Sequence, residues 1–96
     1  MVALSSIREK LELVKPDLMS KYHVRTIGLF GSVVRDDFTN NSDIDIVVDF
    51  SVPIGIEFVD LAADLEALLG RNVDLVSLKG IKPGYLEHIK AEIIYV

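Results

Sequence analysis

Cysteine and tryptophan are absent from this 96-residue chain. Without cysteine there is no disulfide framework, no Cys-ligated zinc and no thiol nucleophile, and a reducing, cytoplasmic setting suits such a chain. Positive charge is scarce as well. Ten Lys and Arg stand against fifteen Asp and Glu, a formal net charge of −5. That balance gives no broad attraction to nucleic acid polymers, and no aromatic residue is interleaved with a basic run. Long apolar runs are missing, so no membrane span is expected, and the N-terminus lacks the layout of a secretory signal. Proline is limited to three residues and glycine to six, with no repeat, low-complexity tract or long linker.

What the chain does have is the balance of a globular protein, 50% apolar and 26% charged. At this length it reads as one domain over residues 1–96, with a real but thin core, since a chain of this size buries somewhat over ~60% of its unfolded surface. The first twenty residues read as a helix, with Ile7, Leu11, Val14 and Leu18 at helical spacing and Ser6 and Glu9 as a capping box. Pro16 predicts a kink there, or the start of a second helix. A short strand follows over Thr26–Phe30 and breaks at Gly31-Ser32, where Ser32 can cap a short helix. A polar loop, Asp36 to Ser42, leads with Asn40-Asn41-Ser42 as its turn into the strongest strand, Asp43–Phe50. Phe58, Leu61, Ala62, Leu65, Leu68 and Leu69 mark an amphipathic helix stopped by Gly70. Asn72–Leu78 reads as a strand, Pro83–Lys90 as a short helix and Glu92–Val96 as a closing strand.

Chemistry concentrates in two stretches, Leu29-Phe30-Gly31-Ser32-Val33-Val34-Arg35 and Ser42-Asp43-Ile44-Asp45-Ile46-Val47-Val48. Residues two apart on a strand share a face, so the carboxylates of Asp43 and Asp45 stand side by side. Adjacent anions repel unless a cation sits between them, and hard oxygen donors suit Mg²⁺. The plainer alternative is a solvated strand mouth, because Asp is mostly exposed. A Gly-Ser turn between strand and helix presents backbone N–H groups and a hydroxyl, which can cradle phosphate or simply turn the chain. Asp74, inside the apolar run Asn72-Val73-Asp74-Leu75-Val76, either lies on an exposed face or joins the same cluster if its strand pairs with the second one. If the ligand bears phosphate, an acidic chain must meet it through such a cation.

The pattern G-S-x10-D-x-D, with Arg35 three after Ser32 and Asp74 on a later strand, resembles the DNA polymerase β-like nucleotidyltransferase superfamily. More narrowly, the whole chain is similar to the minimal nucleotidyltransferase (MNT) proteins, down to the terminal I-x-x-E-I-I-Y-V. The resemblance implies an α/β nucleotidyltransferase fold: a small mixed sheet, helices mainly on one face and the site at the sheet's edge. It implies that Asp43, Asp45 and Asp74 are catalytic and hold two Mg²⁺ ions, with Asp74 helping to activate the attacking hydroxyl. Gly31, Ser32, Arg35 and Ser42 would bind the nucleotide, with Gly31 and Ser32 on the β- and γ-phosphates. It further implies that ATP is the substrate and that the chain is the antitoxin of a type VII-like toxin–antitoxin pair. Its partner would be a HEPN-domain toxin, and AMP would pass to a tyrosine of that toxin. One position departs from the pattern. Family members commonly carry Gly after the motif Arg, where this chain has Asp36, and that bears on the loop behind Arg35.

Other function classes fit less well. An antitoxin that neutralises by occlusion alone would be expected to have lost a carboxylate of the triad. A haloacid-dehalogenase-type phosphatase places its aspartates after the apolar strand, whereas here they precede it. Pockets usually bury most of their ligand, and a chain this short has no second lobe to enclose an acceptor. Recognition is therefore expected from a partner chain or from self-association. Asp49 shares the face of Asp43 and Asp45 but lies too far along for ligation, and Glu57, Asp60 and Asp64 read as a solvated helix stripe. His23 and His88 are too isolated to form a metal pair. Phe30, Phe50 and Phe58 read as core, and Tyr85, Leu86 and Ile89 as core or a partner seam.

Overall fold

The computed structural model describes residues 4–35, 37–39 and 41–96. Helix α1 (Leu4–Tyr22) buries Ile7, Leu11, Leu18 and Tyr22 on one stripe. These residues lie on both sides of Pro16 and share one core, which holds the helix in one piece across the proline instead of breaking it. The helix already includes Leu4, so Ser6 and Glu9 lie inside it and do not form the expected capping box. His23 turns the chain with a left-handed φ of 59°, and its carbonyl accepts a hydrogen bond from Ser51 N at 2.9 Å.

Strand β1 (Val24–Phe30) starts two residues earlier than the sequence suggests. Gly31–Val33 then form one 3-10 turn, capped by Phe30 with no side-chain bond, so Ser32 sits inside the turn rather than at its cap. Strand β2 (Ile44–Phe50) leads into helix α2 (Glu57–Leu69), which Gly70 ends with a left-handed φ of 66°. Strand β3 (Val73–Ser77), helix α3 (Pro83–Ile89) and strand β4 (Ile94–Tyr95) complete the order. The last strand is only two residues long, shorter than expected.

The sheet order is β3-β2-β1-β4. Strand β1 runs antiparallel to β2 and to β4, while β2 and β3 are parallel. Alternation along the strands divides the side chains between two faces. Ile27, Leu29, Ile44, Ile46, Val48 and Leu75 point toward α1 and α2 and form the main core. On the other face Phe30 and Val47 pack with Ile89 at the end of α3, supported by Val76, Leu78, Ile81 and Ile93. Phe50 and Phe58 meet edge-to-face at 6.2 Å between ring centres. Tyr85 is exposed while Ile89 is buried, so the last helix contributes to the core through one end only.

Two acids read as solvated or remote have structural partners. Asp49, 9% exposed, takes Arg25 Nη2 at 2.7 Å and Nε at 3.0 Å, beside the register irregularity between Val24 and Thr26. Asp64 on α2 accepts from Tyr22 Oη and from Lys21 Nζ, tying α2 to the end of α1. No helix of the described residues is long and apolar enough to cross a membrane.

Gly28 governs how the chain's end lies on the sheet. A Cβ there would stand 2.6 Å from Ile93 Cγ2 and 3.1 Å from Val47 Cγ1. Its bare backbone lets the Ile93–Tyr95 segment sit flat on β1. Gly28→Val is expected to destabilise the protein by about 1–3 kcal/mol through overpacking, read as a lower urea midpoint at unchanged m.

Candidate active site

The end of β1 and the starts of β2 and β3 meet at one end of the sheet. Phe30 is the partner of Asp45, and Asp45 is the partner of Asp74. Because β2 and β3 are parallel and these two are in register, their side chains lie on the same face, one strand apart. The conditional placement of Asp74 is thereby decided: the strands pair, and the carboxylates are neighbours. Asp74 is exposed and Asp45 half-buried, while Asp43 is exposed just before β2 begins.

Gly31 closes the site from the side of β1. It is buried and holds a left-handed φ of 76°, a region that glycine enters without steric cost. A Cβ on it would overlap Asp45 Oδ2, so both its φ and the space beside Asp45 require glycine here. Ser32 follows in the 3-10 turn, half-buried.

Crowding shows in the protonation of Asp45. Burial comes first, then the charge of Asp74 and a hydrogen bond to its carboxyl, then the charge of Asp43; together they raise Asp45 to about 6, with Arg35 acting in opposition. A carboxyl that resists ionisation beside like charges is a position that a cation would relieve. Among the described residues no group of three or more His, Cys, Asp or Glu side chains is gathered tightly enough to hold a metal by itself.

Arg35 stands half-exposed behind the turn, its Nε 3.4 Å from Asp37 Oδ1. Its Nη1 reaches Glu92 at 3.3 Å to Oε1 and 3.2 Å to Oε2. Glu92 Oε1 also accepts from Gly31 N at 3.0 Å. The amide expected to grip a phosphate is thus already engaged by a carboxylate. Asp36, where the family pattern has glycine, lies outside the described residues, as does Asn40 of the expected turn.

Ser42 is placed differently from its expected role. Its Oγ takes Thr39 N at 3.0 Å and lies 3.2 Å from Thr39 Oγ1, which closes the loop ahead of β2. Arg71 completes that closure, with Nη2 2.8 Å from the carbonyls of both Thr39 and Ser42. Its guanidinium lies 4.6 Å over the Phe38 ring. A polar cleft beside the carboxylates is lined by Asn41, Ser42, Asp43, Gly70, Arg71 and Asn72.

Sequence reasoning missed Glu92 and Arg71. Glu92 carried a signal, as an acid set between Ile89 and the Ile93-Ile94 pair, but nothing local says what it would touch. Arg71 follows the helix-stopping Gly70 and looks like any surface cation.

Residues 12–96 match the family described as polymerase beta, nucleotidyltransferase. The chain is 41% identical over 97 residues to the protein adenylyltransferase MntA of Thermococcus cleftensis, covering 100% of this chain and 98% of that one. A candidate protein adenylyltransferase of Methanocaldococcus jannaschii is 42% identical over 100 residues, with 100% of both chains covered. Among solved structures, a candidate minimal nucleotidyltransferase superposes with a TM-score of 0.81 at 32% identity, over 97% of this chain and 95% of that one. A chain from a toxin–antitoxin crystal structure with AMP-PNP matches with a TM-score of 0.74 at 26% identity, over 93% of this chain and 70% of its own.

The raised Asp45 carboxyl makes a pH-dependent contribution to the metal-free protein. Its folded value of about 6 exceeds its ordinary 3.8, so the stability it adds is complete at low pH and is lost as pH rises through about 6. Asp45→Asn removes that loss. The variant is expected to melt higher than wild type in chelator at about pH 7.5, with the gap narrowing below about pH 6 and closing toward about pH 4. Thermal denaturation of both proteins across that range is the measurement.

Proposed function

Because the chain belongs to the polymerase beta nucleotidyltransferase family, we propose that this nucleotidyltransferase moves AMP from Mg²⁺-ATP to a tyrosine hydroxyl of a HEPN-type toxin, as the antitoxin of that pair. The observation that carries the reading is the register pairing of Asp45 with Asp74 beside the Gly31-Ser32 turn. The names of the relatives support its finer terms: a protein adenylyltransferase at 41% identity, and a toxin–antitoxin complex with an ATP analogue at 26%.

The donor set fits Mg²⁺. Asp45 and Asp74 offer adjacent hard oxygens, and Asp43 adds charge nearby, with burial and these like charges raising the Asp45 carboxyl. Mg²⁺ typically takes one or two carboxylates and completes its shell with substrate phosphates and water, so three tightly gathered protein ligands are not required. When bound, the metal neutralises triphosphate charge and lowers the barrier to in-line attack at phosphorus.

The chain's own groups supply orientation and proton handling. The Ser32 hydroxyl and N–H, with the Arg35 guanidinium, would serve as donors to the β- and γ-phosphates, and donors set ahead of reaction need no reorganisation. Asp74, the exposed member of the pair, meets the incoming acceptor. The acceptor oxygen bonds to the α-phosphorus as the bond to the bridging oxygen breaks. Pyrophosphate leaves, and the hydroxyl proton passes to the Asp74 carboxylate. With a formal net charge of −5 and Asp43 and Asp74 exposed, the acceptor is best supplied by a protein that brings its own complementary face.

The test is incubation with Mg²⁺-ATP and a cognate HEPN-type partner, followed by intact mass spectrometry. Expected is a partner heavier by one or more adenylyl groups, and no gain with Asp43→Asn, Asp45→Asn or Asp74→Asn. A partner left unmodified yet equally inhibited by Asp43→Asn would replace transfer with occlusion.

A further inference from the structure

Glu92 makes two bonds that no local feature of the sequence requires. Its Oε1 accepts from Gly31 N at 3.0 Å, across 61 residues of chain, and its carboxylate takes Arg35 Nη1 at 3.2–3.3 Å. One carboxylate therefore joins the backbone of the glycine turn to the guanidinium behind it. We propose that Glu92 is the positioning residue of the phosphate-binding turn, setting Gly31 and Arg35 in the geometry that receives nucleotide. This rests on the nucleotidyltransferase reading above.

Three observations favour a brace over an ordinary surface ion pair. First, Glu92 is held on both sides. Its N–H donates to Ile89 O at 2.9 Å as α3 ends, and two residues on β4 pairs with β1 at Leu29 and Gly28. Val96 N donates to Ile27 O at 2.9 Å, and Lys15 Nζ donates to the Val96 carbonyl at 2.7 Å. Second, the Glu92 side chain is 24% exposed, against 51% for Arg35 and 63% for Asp37, so the fixed end of the pair is the glutamate. Third, the turn needs an acceptor. Gly31 is buried in a left-handed conformation against Asp45, and a buried N–H without a partner is costly.

An anion on Arg35 also offsets some of the charge offered to phosphate, and a brace and a competitor make opposite predictions. A guanidinium has five N–H donors, and Glu92 engages only Nη1, so holding Arg35 does not exhaust it. If Glu92 were instead a plug on the anion site, withdrawing its carboxylate would strengthen nucleotide binding. If it is a brace, withdrawing it lets Arg35 and the turn wander, and binding weakens.

Three variants separate charge from reach. Glu92→Asp keeps the charge but is one methylene too short to span both partners. Glu92→Gln keeps the reach: its amide oxygen can stand where Oε1 stands, accepting from Gly31 N and Arg35 Nη1, and only the Oε2 contact to Arg35 is lost. Glu92→Ala removes both. Calorimetry with Mg²⁺-ATP, alongside the ¹⁵N–¹H signal and hydrogen exchange of the Gly31 amide, is the experiment.

Expected is a Kd raised about tenfold in Glu92→Asp and Glu92→Ala, the scale of one charge-assisted hydrogen bond lost. Gly31 amide protection should fall in both, while Glu92→Gln stays within about threefold of wild type with protection kept. In an Arg35→Ala background the effect of Glu92→Asp should shrink, because part of it runs through Arg35. Unchanged or tighter binding by Glu92→Asp and Glu92→Ala would overturn the proposal in favour of a competing carboxylate. Weakening of all three alike, with Gly31 protection intact, would overturn it in favour of a charge effect. Failure of wild type to bind Mg²⁺-ATP would instead remove the reading on which it rests. Should Glu92→Ala not fold, Glu92→Asp against Glu92→Gln decides the matter.

Discussion

Two carboxylates held one strand apart govern the rest of this molecule. Asp45 and Asp74 are register partners on parallel strands, and burial and mutual repulsion push Asp45 up to about 6. Such an arrangement is unfavourable for a fold alone, since like charges directly opposite each other weaken a sheet. It is tolerated because the apolar residues that follow on β2, from Ile46 to Val48, anchor the strand in cores on both faces. The strained position thus sits at the mouth of the most firmly buried strand.

The two sheet faces divide the work. Helices α1 and α2 cover one face and enclose most of the buried apolar side chains. Among the described residues, the other face has only the end of α3 and a few flanking residues around Phe30 and Val47, and it is on this face that Asp45 and Asp74 stand. A light cover leaves the carboxylates accessible while the heavier core keeps their strands rigid. The site lies at the N-terminal ends of β2 and β3 and the C-terminal end of β1. That places the aspartates before their apolar runs, the feature that separates this arrangement from phosphatases with the acids at a strand's far end.

Glycine acts at two positions of one strand and its exit. Gly28 lets the last residues lie against β1, and Gly31 lets the backbone turn against Asp45 without a Cβ in the way. Through the first, the C-terminal segment reaches the site; through the second, the site has room. The loop before β2 is closed separately, by Thr39, Ser42 and Arg71, so Ser42 serves the shape of the approach to Asp43. The acids on α2 also differ in their work: Asp64 ties the helices together through Tyr22 and Lys21.

Much of this was legible in the residues themselves. Period-two and helical spacing mark the elements, Gly70 stops α2 as its left-handed cap requires, and Gly-Ser with Asp-x-Asp points to the candidate site because strand alternation is local physics. Boundaries were less readable. Ser6 and Glu9 match a capping box but lie inside a helix that packing holds together, and Pro16 does not break it because Leu11 and Leu18 share one core. What only the tertiary structure decided are the meetings across long stretches of chain: Asp74 beside Asp45, Arg25 on Asp49, Arg71 on the Ser42 loop, and Glu92 on Gly31 and Arg35. Side-chain type and spacing act over a few residues. Which distant polar groups become neighbours depends on strand order and register, and those are set by how the whole apolar surface is buried at once.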